Sequence, residues 1–433
     1  MMHGGKSPGR PDAASKTHLS IMRYSGSFYP EARGDGNLCM RQLGMIEPSE
    51  ALAIVMARGA VLGSEDVPLG NASGRALSRP LAARFGFPLF DKAAVDGIGV
   101  ANGDDSTEFR EMGTVTAGES PMLQVRKGEC IKIMTGAPVP AGIGRVIRFE
   151  YTESTGRTYR IVKSEKSTNI AYKDEDIRTG DPLLGIRRLL PQDIGILAAQ
   201  GYGSVPVVRK PRLSILVTGN ELHEPGAALP PGGIYDSNSY QLAAMATLAG
   251  AEVQPTVRVP DTLEATVSTV REALDRSDIL VLSGGVSMGE LDYVPEALKE
   301  AGFEILFHGI AMKPGKPTLF GVNGAKLVFG LPGNPVSTFV QFELFIAPLL
   351  YRMQGLPYPP REAMLPLATP FTRKNADRHE YLPARVADGV AELIGYMGSG
   401  HLTALADADA LVLIPKGTNT LEAGERVNAR FIR

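Results

Sequence analysis

"DTLEATVSTVREALDRSDILVLSGGVSMGELDYVPEALKEAG", residues 261–302, sets a helix, a strand and a second helix in immediate succession. Leu263, Val267, Val270 and Leu274 recur at helical spacing and mark one buried face, with Asp261 expected to cap the helix start. "DILVLSGGVS" (278–287) follows as a buried-type strand, and "DYVPEALKEAG" (292–302) as the next helix. The pattern continues outward. "RLSILVTG" (212–219) reads as a strand, "SNSYQLAAMATLAG" (237–250) as a helix ended by Gly250, and "AEVQPTVRV" (251–259) and "EILFHGIAM" (304–312) as strands. Strand–helix alternation with right-handed crossovers predicts a mostly parallel sheet in a three-layer α/β domain over residues 207–357.

The flanks differ. Residues 86–178 carry short β-rich runs such as "KGECIKIMTG" (127–136) and "GRVIRFEYTE" (144–153) between Gly and Pro turns, and predict an inserted β domain. Residues 46–85 and 179–206 read as a helical and extended linker domain. Its first helix has Ser49 as N-cap and Ala53, Val55 and Met56 as buried positions. Residues 358–433 hold four short strands and predict a small barrel-like β domain. Residues 1–45 read as a disordered extension without a secretory apolar stretch, and Met1, Met40 and Met45 are alternative starts.

Composition narrows the function. A net charge of −2 over 433 residues argues against a general nucleic-acid binder. Cys39 and Cys130 provide neither a disulfide framework nor a cysteine zinc site, which suits a reducing cytoplasm. No apolar run reaches the length of a membrane span. The histidines show no metal-ligand spacing.

In an open parallel sheet the ligand lies beyond the carboxyl ends of the strands. Those ends here carry Thr218, Gly219 and Glu221; Asp236; Ser283, Gly284, Gly285, Ser287, Gly289 and Asp292; and Lys313 with Lys316. "GLPGNPVS" (330–337) adds Gly333, Asn334 and Ser337, with Asn334–Pro335 fitting a helix start. Singly, each has an ordinary explanation: aspartates cap helices, glycines mark turns, lysines face water. Together they suit a phosphorylated ligand, with backbone N–H groups and ammonium groups for the anion and Asp236 and Asp292 for a bridging Mg²⁺. Neither the dinucleotide fingerprint nor the Walker loop is in place, so the phosphorylated ligand is of another kind.

The ordered set "VTGNEL…YDSNS…SGGVSMGELDY…KPGKP…GLPGNPVS" resembles the molybdopterin molybdenumtransferase family, that of MoeA and the gephyrin E domain. "PLFDKAAVDGIGV", "IKIMTGAPVP" and "DRHEYLPARV…GSGHLTALADADALVLIP" resemble its other motifs, so the likeness runs from about residue 46 to the end. The resemblance implies insertion of molybdate into adenylylated molybdopterin with release of AMP, Mg²⁺ assistance, and the α/β domain as the molybdopterin-binding one. It further implies that Asp236 and Asp292 handle metal and pyrophosphate, and that Lys313, Lys316 and Pro317 line an oxyanion pocket reached by Arg378 and Ser399. Asp96 and Thr135 of the β domain match positions near the family's active cleft, which homodimers share between subunits. A molybdopterin adenylyltransferase and molybdoenzymes are the implied protein partners.

Departures from the family pattern gather in the β domain. Ala93 stands for a serine, Ile98–Gly99 for Tyr-Ala, Ile143–Gly144–Arg145 for Ala-Asp-Ala, Ala171 and Tyr172 for arginines, and Asp174 for a glycine. In the α/β domain Asn220 stands for an aspartate. They leave open a paralogue of reduced activity that carries the cofactor as a scaffold. An adenylyltransferase on the same α/β architecture is a third reading, disfavoured by the flanking β domains.

Overall fold

The computed structural model describes residues 45–119, 123–286, 293–395, 398 and 400–432. The expected N-terminal extension lies outside them, apart from Met45.

A seven-stranded sheet occupies the centre of the chain. Strand Arg212–Thr218 runs parallel to Glu252–Val253 and Val257–Val259 on one side and to Ile279–Ser283 on the other. Ile279–Ser283 runs parallel to Lys326–Leu331, beyond which Leu319–Asn323 and Glu304–His308 complete the sheet in antiparallel fashion. Successive side chains of a strand point to opposite faces, and both faces here are covered. Leu213, Ile215, Val217, Ile279 and Val281 pack with the helices Asn238–Leu248, Pro335–Gln341 and Ala347–Met353. Leu216, Leu280 and Leu282 pack on the other face with Leu263–Arg276 and Val294–Glu300. Each such fully buried side chain contributes about 1.5–3 kcal/mol relative to exposure.

Three local expectations are corrected. Thr262, rather than Asp261, caps the Leu263–Arg276 helix by accepting the Ala265 N–H at 3.3 Å. Asp261 instead accepts the Asn220 N–H at 3.0 Å and ties two loops at the sheet's carboxyl edge. The first helix spans Pro48–Arg58 with Glu47 at its N-cap, not Ser49, and buries Ala51 and Val55 while Ala53 is exposed. The apolar run "EILFHGIAM" is divided at Gly309, whose φ of +116° is left-handed. Glu304–His308 stays in the central sheet, whereas Met312–Lys313 joins a different sheet, pairing parallel with His379–Ala387.

That second sheet orders Met312–Lys313, His379–Ala387, Ala410–Ile414, Arg426–Phe431 and Glu362–Pro366, with Val390–Leu393 also on His379–Ala387. His379 bonds Glu47 at 3.1 Å, and Lys416 reaches the same carboxylate at 2.6 Å, which fixes the first helix to this sheet. Gly97–Ala101, Glu108–Val115, Glu129–Ile133, Ile143–Arg148, Thr152–Thr155 and Thr158–Ile161 form a six-stranded sheet of their own, and Ser64–Pro68 pairs antiparallel with Ser204–Val208. No helix among the described residues is long and apolar enough to cross a membrane.

Asp278, at the entry to strand Ile279–Ser283, binds Arg209 through two bonds of 2.7 and 2.8 Å and the Arg212 N–H at 2.9 Å. Burial pushes its carboxyl up, but the Arg209 and Arg212 donors outweigh burial and hold it below the usual carboxylate range. The stabilisation is therefore complete at neutral pH and lost as pH falls through the lowered folded value. Asp278→Asn is expected to cost about 2 kcal/mol at pH 7 and progressively less toward strong acid, read from urea midpoints across pH.

Candidate functional site

Four strand-end segments of the central sheet and three segments of the C-terminal sheet, at Lys313–Pro317, Arg378 and Gly398, open onto a cleft of about 980 Å³. The strand Arg212–Thr218 delivers Thr218, Gly219 and Glu221, and Ile279–Ser283 delivers Ser283, Gly284 and Gly285. The glycines are required by their backbones. Gly284 has φ +97° and a Cβ there would stand 2.7 Å from the Thr218 carbonyl oxygen. Two strand ends thus approach more closely than any side chain permits, and their backbone is left bare toward the cleft.

The segment before helix Pro335–Gln341 contributes Gly333 and Asn334, and the helix itself contributes Ser337. Asn334 occupies the N-cap position without a side-chain cap bond. Asn238 closes this wall. It is buried and donates to Ser283 Oγ at 2.9 Å and to the Gly333 carbonyl at 2.7 Å, joining three segments of the cleft wall. Its Oδ1 is buried without a partner among the described residues.

The opposite wall is cationic. Lys313, Lys316 and Pro317 line it, and Arg378 reaches it from the loop before His379–Ala387. Parallel pairing of Lys313 with Glu380 is what brings the second sheet to this place. The Lys313 ammonium lies 2.7 Å from Glu380, a buried carboxylate also held by Arg373 at 3.2 Å. Arg373 in turn donates to the Arg378 carbonyl at 3.0 Å and so steadies the loop carrying that guanidinium. Lys316 is exposed and forms no ion pair among the described residues.

Other expected residues lie elsewhere or outside the described set. Asp236 is buried, and its oxygens accept from the Ser239 N–H at 3.0 Å and from the Ser239 hydroxyl, so it serves the start of the Asn238–Leu248 helix and is not part of the cleft lining. Asp96 and Thr135 meet in the β domain, where the Thr135 N–H and Oγ1 each lie 2.7 Å from one Asp96 oxygen. The backbone donor first, then the hydroxyl, hold the Asp96 carboxyl below its ordinary value. Neither residue lines this cleft. Ser287, Gly289, Asp292 and Ser399 fall outside the described residues.

Sequence reasoning missed Asn238, Asn220, Asp261 and Glu380. An asparagine two positions after the Asp236 landmark was a usable signal for the first. The others depend on which loops meet. Among the described residues no group of three or more His, Cys, Asp or Glu side chains is arranged to hold a metal by itself. The cleft wall still offers the carboxylates of Glu221 and Asp261.

Comparison with known proteins agrees with this architecture along most of the chain. Residues 46–201 match the model of the MoeA N-terminal region (domain I and II), residues 214–352 that of a probable molybdopterin binding domain, and residues 365–431 that of the MoeA C-terminal region (domain IV). Molybdopterin molybdenumtransferase of Staphylococcus aureus is 32% identical over 396 residues, covering 88% of this chain and 94% of that protein. The Staphylococcus epidermidis enzyme is 32% identical over 401 residues with the same coverage. Two crystal structures of a molybdopterin biosynthesis MoeA protein from Pyrococcus horikoshii superpose with TM-scores of 0.77 and 0.76 at 32% and 29% identity, each covering 90% of this chain and 100% of the other.

Proposed function

The chain belongs to the MoeA family of molybdopterin molybdenumtransferases, enzymes of molybdenum cofactor biosynthesis, and from that footing we propose that its cleft binds adenylylated molybdopterin and molybdate and joins them with release of AMP. One observation carries this reading: a bare-backbone wall suited to phosphates and a cationic wall suited to a free oxyanion face each other in one cleft.

Molybdate is a tetrahedral dianion. Lys316 and Lys313 supply compact charge to it, and the planar guanidinium of Arg378 supplies paired donors. The Thr218 and Ser283 hydroxyls and the backbone at Gly284 and Gly285 take the phosphates, with Asn238 fixing the distance between those segments. Water cleaves the phosphoanhydride and AMP leaves; the two dithiolene thiols then bind the held molybdate, their two protons departing with one displaced oxide as water. The protein's contribution is to hold both anions side by side against their mutual repulsion.

Mg²⁺ assistance belongs to the same reading. An ion that keeps several waters and takes its other ligands from substrate phosphates needs one or two carboxylates, for which Glu221 and Asp261 have the right oxygen chemistry. When bound, the ion supplies charge neutralisation for the departing phosphate. A homodimer is also part of the proposal, since a second copy would bring Asp96 and Thr135 to a cleft that its own subunit does not let them line. So are a cytoplasmic location, a barrel-like closure of the C-terminal sheet through the Leu367–Ala391 bridge, and hand-over from an adenylyltransferase to molybdoenzymes.

The test is AMP release by purified protein given adenylylated molybdopterin, Mg²⁺ and molybdate. Release that rises with molybdate, falls about tenfold or more on chelation and returns with added Mg²⁺ is the expected result. Binding of the organic substrate without any AMP release would overturn the transferase reading of this cleft.

A further inference from the structure

The turn between the two cleft lysines rests on a buried amide that does not itself line the cleft. Gln341, at the end of helix Pro335–Gln341, is 0% exposed, and its Nε2 donates to the Gly315 carbonyl at 2.7 Å. Thr318 Oγ1, also fully buried, donates to the same oxygen at 2.9 Å. Gly315 has φ +106°, and a Cβ there would lie 1.8 Å from Gln341 Nε2, so the turn lies flush on the amide. Beside it the Lys316 carbonyl accepts the Ile310 N–H and the Thr318 carbonyl accepts the Gly309 N–H, both at 2.8 Å. The backbone between Lys313 and Pro317 is thus fixed from below while the Lys316 side chain stays exposed.

Gln341 brings an uncompensated polar atom with it. Its Oε1 is buried and has no partner among the described residues. The Gly315 group it meets is the carbonyl, an acceptor, so the amino end must face it and the carbonyl end is left over. A methionine would fill similar space without burying an unmatched oxygen, and polar residues that bury such an atom call for an explanation beyond packing.

We propose that Gln341, together with Thr318, is a positioning residue for oxyanion binding: it sets where the Lys313–Lys316 turn presents its ammonium groups, and so the affinity for molybdate. The inference rests on the cleft being the oxyanion site proposed above.

The experiment compares Gln341→Met, Thr318→Val, the double variant and Lys316→Ala, each checked for folding by thermal melting. AMP release is measured while molybdate and adenylylated molybdopterin are varied separately. Losing one donor to Gly315 is expected to raise the molybdate KM about fivefold in each single variant. Losing both is expected to raise it about fiftyfold, more than the product of the singles because each donor backs up the other. The KM for adenylylated molybdopterin and kcat at saturating molybdate should stay within about twofold. An unchanged molybdate KM in the folded double variant, with a raised one in Lys316→Ala, would sink the positioning role alone. Parallel losses in every parameter that track the melting temperature would reduce Gln341 to a packing residue. No effect even in Lys316→Ala would remove the oxyanion reading and this inference with it.

Discussion

Lys316→Ala is expected to lower AMP release at limiting molybdate by about a hundredfold or more, chiefly through the molybdate KM, while changing stability by less than about 0.5 kcal/mol. The separation of the two effects follows from its surroundings. Lys316 is exposed, lines the cleft and forms no ion pair among the described residues, so its removal strands no partner. Lys313 is different. Its ammonium shares buried Glu380 with Arg373, so Lys313→Ala leaves that carboxylate with one cation and weakens the junction between the two sheets as well as the anion site. Lys316 therefore gives the cleaner answer. A saturation curve for molybdate on the folded variant, superimposable on that of the parent, would mean that the oxyanion is held elsewhere.

Gly284→Ala is expected to cost about 2–4 kcal/mol and to lower AMP release by about a hundredfold in whatever protein remains folded. Two penalties coincide at this position. The backbone is left-handed at φ +97°, and the new methyl would fall 2.7 Å from the Thr218 carbonyl oxygen, which is backbone and has little room to yield. Relief requires the ends of strands Arg212–Thr218 and Ile279–Ser283 to separate, and they form the wall assigned to the phosphates. Gly389→Ala supplies the comparison. It is also left-handed, at φ +76°, but nothing lies within 4 Å of its Cβ, so it incurs conformational strain of about 1 kcal/mol and leaves the cleft alone. Equal urea midpoints for the two variants would show that the close approach at Gly284 contributes nothing.

Departures from the family pattern in the β domain can now be read physically. Ile98 is fully buried among Val100, Phe109 and Ile147, and Ala93 is buried against Ile131 and Ile133, so both serve that domain's packing. Asp174, for which the resemblance implies a glycine, adopts a left-handed φ of 62°, a conformation aspartate tolerates better than most residues. Tyr172 is exposed and does not line the cleft. These substitutions lie outside the cationic wall and the strand-end glycines.

The sequence by itself determined the central sheet, because a strand covered on both faces must be apolar throughout and its helices must keep one apolar stripe. Those requirements are local, periodic and visible in stretches such as 261–283. It also determined most of the cleft, since in a parallel sheet every carboxyl-end loop opens to the same edge. Thr218, Ser283, Gly284 and Asn334 were placed there by that rule, and all line it; Lys316 lines it too, but from the turn that follows a strand of the other sheet. Only the tertiary structure decided which carboxylates face the cleft. Asp236 and Asp261 each precede a helix in sequence, yet one is spent on Ser239 while the other ties Asn220 at the cleft wall. Tertiary structure alone also carried Met312–Lys313 out of its apparent strand and into the C-terminal sheet, beside Glu380. The pairing joins residues 67 positions apart, between segments whose local patterns carry no record of each other, and a contact of that kind exists only once both sheets have formed.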